Sequence, residues 1–223
     1  MRLLIINPNT SRGITDIIAE RVRMVKADES LITAVTAPFG ASYISTPEHG
    51  AEAECAVVEL LDAYRGAFDA AVICSSSDSG LAQARRHQAN PVTAMTESAL
   101  LASCMLGGPT AMIVYNEGAV DGMHKRAESY GLGHQLARVR IAGEVVNGIP
   151  TDEVAYRAQV IKAGRRARNE DGALSVIMGG SAASRMTHGL SAAMGIPVLE
   201  GISCAVKMAE ALVAIGARNP QAE

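Results

Sequence analysis

Dense apolar runs alternate along this chain with longer segments in which apolar residues recur every three or four positions. The runs cover 3–6, 31–37, 70–73, 91–95, 110–114, 139–142, 175–178 and 197–199, each bounded by Asn, Pro, Gly or Ser. Several are wholly apolar, as strands covered on both faces are. The intervening periodicity predicts helices near 11–25, 47–64, 80–88, 96–106, 118–130, 151–169, 184–194 and 203–216. Thr46-Pro47-Glu48 reads as a helix start: a capping hydroxyl, a proline in the first turn and an acid at the positive end of the dipole. Regular strand–helix alternation predicts an α/β chain with mostly parallel sheets covered on both faces.

The pattern repeats. Cys74 closes one apolar run and Pro91-Val92 opens the next 17 residues later; Gly180 and Pro197-Val198 stand 17 residues apart in the same way, the two copies being offset by 106. An offset of 108 lays Leu4-Ile5-Ile6 over Met112-Ile113-Val114. The expected organisation is two halves, 1–105 and 106–200. The helix near 203–216 is expected to pack back on the first half or cross between the two. Two such halves suggest a pseudo-twofold with a cleft between them. Ligands of open α/β sheets sit at the carboxyl ends of strands, so the loops 74–80 and 179–184 are expected to face that cleft.

Composition narrows the function classes. Hydrophobic residues make up 48% of 223 residues but aromatics only 3%, with no Trp, so the core is aliphatic. The length suffices for a core without disulfide staples or a structural metal. Net charge is −3 and pI about 6.0, and no basic stripe is present, which argues against nucleic acid or an anionic membrane as partner. The first apolar run is too short for a signal sequence, and no stretch approaches the roughly 20 apolar residues of a membrane helix. A cytoplasmic protein is expected, with its four cysteines as thiols. There is no paired CxxC spacing, no G-x-G-x-x-G, no phosphate loop and no H-E-x-x-H, so neither a metal nor a nucleotide cofactor is expected.

Cys74 carries the strongest chemical signal. It ends an apolar run and opens the loop Ser75-Ser76-Ser77-Asp78-Ser79-Gly80, whose backbone N–H groups would stabilise a thiolate or an anionic substrate group. A small buried residue at a strand end is the bland reading, but such a residue has no need of that loop. Cys55, Cys104 and Cys204 lie in helical periods among Ala, Val and Leu and read as small apolar filler. Asn9 and Thr10, after the first strand, serve equally well as ligand contacts or as a turn and helix cap. Glu97 and Glu200 each follow a Pro-Val strand and are either cleft carboxylates or dipole partners. Tyr115 or Asn116, ending another strand, could bind substrate; His188 reads as a surface or capping residue.

The opening Met1-Arg2-Leu3-Leu4-Ile5-Ile6-Asn7-Pro8-Asn9-Thr10-Ser11, the segment Pro91-Val92-Thr93-Ala94-Met95-Thr96-Glu97-Ser98-Ala99, and Ile196-Pro197-Val198-Leu199-Glu200-Gly201-Ile202 with Val206-Lys207-Met208-Ala209-Glu210 resemble hydantoin and allantoin racemases. These belong to the aspartate/glutamate/hydantoin racemase superfamily. The resemblance spans almost the whole chain and keeps the order of the blocks. It implies two pseudosymmetric three-layer αβα halves, an active site in the cleft between them, and cofactor-free chemistry by two cysteines on opposite faces of a substrate carbon. Cys74 matches the first of these cysteines. The second is expected in Val176-Ile177-Met178-Gly179-Gly180-Ser181-Ala182, where Gly180 stands instead.

Glycine supplies no proton, and an unassisted Ser181 hydroxyl is a poor acid and a poor base. The resemblance therefore implies a racemase- or isomerase-type enzyme with one thiol, Cys74, for proton transfer or addition. The substrate is a small carboxylate or a hydantoin-like cyclic ureide. Asn9, Ser75, Ser76, Tyr115, Gly180, Ser181 and Ala182 are the expected substrate contacts. A homo-oligomer is expected. The alternatives are a single-cysteine decarboxylase of arylmalonate decarboxylase type, a bond-cleaving relative, or a ligand-binding protein that lost catalysis. With glycine at 180, racemisation is expected to be poor unless another residue serves the second face.

Overall fold

The wholly apolar runs become the central strands. In the computed structural model, which describes residues 1–143, 145, 146 and 149–220, the first sheet contains β1 (Arg2–Asn7), β2 (Leu31–Thr36), β3 (Ala70–Ile73) and β4 (Val92–Ala94), parallel and in the order β2-β1-β3-β4. Every residue of β3 is buried, whereas edge strand β2 alternates between exposed and half-buried positions before reaching buried Val35. Ile5 and Ile6 at the sheet centre are wholly buried. Burial of side chains of this size stabilises by about 1.5–3 kcal/mol each.

The second sheet contains β5 (Thr110–Val114), β6 (Leu136–Ile141), β9 (Ser175–Met178) and β10 (Val198–Glu200), also parallel and in the order β10-β9-β5-β6. β5, β6, β9 and β10 occupy the places that β1, β2, β3 and β4 occupy in the first sheet, so the repeat in the sequence is a repeat of strand order. β7 (Val145–Val146) and β8 (Ile149–Pro150) pair antiparallel, which the sequence pattern does not reveal because two-residue strands carry no period.

The helices are α1 (Arg12–Val25), α2 (Pro47–Ala63), α3 (Leu81–His87), α4 (Met95–Met105), α5 (Gly118–Ser129), α6 (Glu153–Glu170), α7 (Leu190–Met194) and α8 (Gly201–Ala214). The expected start of α2 is present: Thr46 Oγ1 accepts from the His49 N–H, with Pro47 in the first turn. The expected helix over 184–194 is not one helix. It is a 3-10 turn over Ser181–Met186 followed by α7, interrupted at Gly189, whose φ of +71° lies outside helical space.

The described residues group into two compact units, 1–95 with those from 202 to 220, and those from 96 to 201. The sequence boundary at 105/106 differs from this grouping by α4, which belongs with the second unit. α8 is fastened to the first unit. Glu210 accepts from the Ala27 N–H at 2.7 Å and from Ser30 Oγ at 2.8 Å, the Ala205 carbonyl accepts from Thr93 Oγ1, and Arg21 Nε donates to Ser203 Oγ. In the second unit the half-buried Arg140 guanidinium on β6 grips the Asp171 carboxylate with two hydrogen bonds, 2.6 and 2.8 Å, and also reaches Glu170. Among the described residues no helix is long and apolar enough to cross a membrane.

Candidate active site

In the first unit, two loops leave adjacent strands at the carboxyl edge of the sheet. β1 ends in Asn7, a fully buried amide in an apolar sheet, which therefore requires partners. Asn7 Nδ2 lies 3.0 Å from Asn9 Oδ1, the Ser11 carbonyl and Thr15 Oγ1, and Asn7 Oδ1 accepts from the Asn9 N–H. Asn9 Oδ1 also accepts from the Ser11 N–H at 2.9 Å, and Ser11 Oγ caps α1 by accepting from Ile14. This network sets the orientation of the Asn9 amide. Its oxygen does the work of the turn, and its NH2 group is a donor without a partner among the described residues. Sequence reading passed over Asn7; an amide closing an apolar run was the available signal.

Cys74 sits where the sheet ends. Its N–H still donates to the Ile6 carbonyl at 2.8 Å, continuing the pairing of β3 with β1. Its side chain is buried, with Sγ 3.8 Å from the Val72 carbonyl oxygen. Beyond it the loop folds into two tight turns, Asp78 N–H to the Ser75 carbonyl and Leu81 N–H to the Asp78 carbonyl, with Asp78 at φ +47°. Three hydroxyls form a chain along this loop: Ser75 Oγ to Ser77 Oγ at 3.1 Å and Ser77 Oγ to Ser79 Oγ at 2.7 Å. Ser75 is buried and Ser76 half-buried. The structure thus brings Cys74, Ser75 and Ser76 to the strand edge from which the Asn9 loop also leaves.

In the second unit the arrangement recurs. Tyr115 follows β5 and Gly180 follows β9, its neighbour in the sheet. The Gly179 N–H donates to the Ile113 carbonyl at 2.9 Å, and a Cβ at 179 would meet that same oxygen at 2.9 Å. At Gly180 φ is +89°, and a Cβ there would lie 2.5 Å from Cε1 of the Tyr115 ring and 3.3 Å from its hydroxyl. The tyrosine fills the space that a side chain at 180 would need. Ser181 is half-buried, and Ala182 is buried. Ser184, on the same 3-10 turn, is buried with no hydrogen-bond partner for Oγ among the described residues. Arg157 on α6 holds the segment beyond it, donating to the Met186 carbonyl at 2.8 Å and the His188 carbonyl at 2.7 Å. No sequence signal marked Arg157 or Ser184.

The remaining expectations divide. His188 is exposed, as a surface role requires. Cys55 and Cys104 are exposed and Cys204 half-buried, so the reading of all three as core filler is corrected. They lie away from the buried faces of α2, α4 and α8, among which α2 buries Ala53, Ala56, Val57 and Leu60 instead. Cys55 lines a groove of about 480 Å³ with Glu54, Val58, Glu59, Asp62 and Gln83, drawn from α2 and α3 and containing none of the strand-end residues. Glu200 is buried at the end of β10, and Glu97 is half-buried in the first turn of α4. Among the described residues no cluster of three His, Cys, Asp or Glu side chains could hold a metal ion.

The sequence profile of the Asp/Glu/hydantoin racemase family matches residues 3–209. The chain belongs to this family. It is thereby an enzyme of racemase type, an isomerase. The hydantoin racemase of Paenarthrobacter aurescens is 27% identical over 224 residues, covering 100% of this chain and 95% of that protein. The structure of allantoin racemase from Pseudomonas fluorescens is similar with a TM-score of 0.94 at 28% identity, covering 99% of this chain and 94% of that one. Allantoin racemase from Klebsiella pneumoniae is similar with a TM-score of 0.91 at 28% identity, covering 99% and 90%. The α/β architecture with two parallel sheets is thus the family's architecture, and the strand-end loops just described are this racemase's own version of it.

Proposed function

We propose that this racemase acts without a cofactor on a small carboxylate or a hydantoin-like cyclic ureide, with Cys74 as a thiol that takes a proton from the substrate carbon. The observation that carries the reading is the position of Cys74, at the last sheet-bonded residue of β3 and at the head of the Ser75–Ser77–Ser79 hydroxyl chain. Hydroxyl and amide donors suit the oxygens that gain charge when a proton leaves a carbon next to a carbonyl. Asn9 supports the same substrate class, because its oriented NH2 group donates to a carboxylate or ureide carbonyl. The thiol lies 3.8 Å from the Val72 carbonyl oxygen. All four cysteines are thiols rather than disulfides, in keeping with a reducing, cytoplasmic setting. A homo-oligomer accords with the apolar surface that Leu101, Met105 and Leu106 expose at the end of α4.

A second reading, one-sided protonation as in a decarboxylase, is favoured by Gly180, which brings no side chain to its loop. One experiment separates the two. Single enantiomers of 5-substituted hydantoins, allantoin and small amino dicarboxylates are incubated with the enzyme in deuterium oxide and followed by proton NMR and optical rotation. Substituted malonates are followed for loss of carbon dioxide. Deuterium wash-in at the stereocentre is expected for one of the first group, and Cys74→Ala should lower it by about 10²–10⁴-fold, the usual worth of a positioned general base. Full exchange by Cys74→Ala would overturn the role of the thiol, and decarboxylation without exchange would select the second reading.

A further inference from the structure

The groove between α2 and α3 has no part in the chemistry proposed above. It holds about 480 Å³ and is lined by Glu54, Cys55, Val58, Glu59, Asp62 and Gln83. We propose that α6 of a second copy of this chain docks in it, so that the racemase assembles through a contact between unlike surfaces. The proposal rests on the homo-oligomer reading and is independent of the role of Cys74.

The groove has a direction. Along α2, Cys55 and Val58 come first and supply an apolar floor; Glu59 and Asp62 follow one turn later. Residues three and four apart share a helix face, so these four form one stripe that runs from apolar to acidic. Glu54 adds a third carboxylate on the α3 side, where Gln83 Nε2 donates to it at 2.9 Å. Asp62 pairs with exposed Arg65, whereas exposed Glu59 has no ion pair among the described residues. None of the six lining residues is basic. A trough of this kind fits a helix whose own stripe runs from apolar to basic.

α6 presents such a stripe. Val154, Ala158, Lys162 and Arg165 recur at helical spacing and all are exposed, Val154 to 81%. The first two are apolar and the last two cationic, so the stripe changes character in the same direction as that of α2. Lys162 has no ion pair among the described residues, and Arg165 donates from Nε to the Ala193 carbonyl, which leaves its terminal nitrogens for an acid. The opposite face of α6 is committed to its own unit through Tyr156, Val160, Ala163 and Ala167. Laid parallel in the groove, Val154 and Ala158 would cover Cys55 and Val58, while Lys162 and Arg165 would reach Glu59 and Asp62. Burial of the apolar ends supplies attraction, and the charges set direction and register. Because groove and helix are different surfaces, each copy offers one of each, and assembly continues until the last groove meets the first helix.

The test is sedimentation velocity of the whole chain over a concentration series. A discrete oligomer is expected at low salt, weakening as salt rises. Glu59→Lys and Lys162→Glu, each alone, should raise the midpoint concentration of assembly by about tenfold or more, and the two together should restore it. A short cysteine-to-lysine cross-linker, applied to a mixture of isotope-labelled and unlabelled protein, should join Cys55 of one copy to Lys162 of another. Alkylation of Cys55, prompt in the dilute protein, should slow as assembly proceeds. An oligomer that neither charge reversal weakens, or a Cys55–Lys162 link found only within single chains, overturns the groove contact and leaves the homo-oligomer reading standing. A chain that stays monomeric at every concentration overturns both. A monomer whose groove instead takes up an arginine-rich peptide, read as slowed Cys55 alkylation, does the same.

Discussion

Replacing Gly180 by alanine adds one methyl group where the structure has neither room nor suitable backbone. The φ of +89° is left-handed space, and imposing it on a residue with a Cβ costs about 1–3 kcal/mol. The new Cβ would also stand 2.5 Å from Tyr115 Cε1, so the ring must be pushed aside. Overpacking of this kind costs about another 1–3 kcal/mol. The sum is about 2–6 kcal/mol, and for a chain of this length each kcal/mol lowers the thermal midpoint by about 2–4 °C. Thermal unfolding followed by far-UV circular dichroism should therefore show a fall of at least roughly 4 °C. The two contributions can be separated, because a Tyr115→Ala background removes the collision and keeps the backbone strain. The second penalty should then be smaller by about 1–3 kcal/mol, within the range of couplings between touching residues. A Gly180→Ala variant whose stability differs from wild type by less than about 0.5 kcal/mol, as an inconsequential surface change would, refutes the reasoning. The same collision tells against restoring two-thiol chemistry by Gly180→Cys: the added side chain would displace Tyr115 rather than enter open space.

Two further outcomes follow from other parts of the molecule. Timed alkylation of the dilute native protein with peptide mass analysis should label exposed Cys55 and Cys104 first, Cys204 next and buried Cys74 last; rapid labelling of Cys74 would mean that its thiol does not rest against Val72. Burial pushes the Glu210 carboxyl up, but the Lys207 ion pair, the Ala27 N–H and the Ser30 hydroxyl outweigh it and hold the pKa below the ordinary value. A carboxyl lowered in the folded state contributes stability above its unfolded pKa, about 4.3, and that contribution is lost as pH falls through the folded value. The urea midpoint of wild type should drop over this acid window, and Glu210→Gln should be weaker at neutral pH and flatter below it; identical acid profiles would show that Glu210 does not fasten α8.

The architecture was legible because strands buried on both faces must be apolar throughout, and such runs are hard to mistake: 70–73, 110–114 and 175–178 are strands with the same limits in sequence and structure. Strand order repeated because the apolar pattern repeated. What misled was local. The period over 184–194 continues through Thr187 and His188 as if helical, but the carbonyls of Met186 and His188 are bonded instead to Arg157, a partner about thirty positions away in sequence. The exposed thiols were misread for another reason: the Ala and Val beside them in sequence suggested a core, whereas Glu52 and Glu59, one helical turn either side of Cys55, mark its face as polar.

Sequence by itself therefore determined the two parallel sheets and the loops at their carboxyl edges, because each follows from short-range pattern; the family followed from the resemblance of its segments. It also showed that position 180 carries no thiol. Tertiary structure decided what stands in that place. The Tyr115 ring lies 65 residues from Gly180 along the chain and meets it only because β5 and β9 pair in register, Ile113 beside Met178. Likewise the Asn9 amide became an oriented donor only once a buried Asn7 had claimed its oxygen. Both outcomes depend on which atoms pairing and burial force together, and no one-dimensional pattern contains that information.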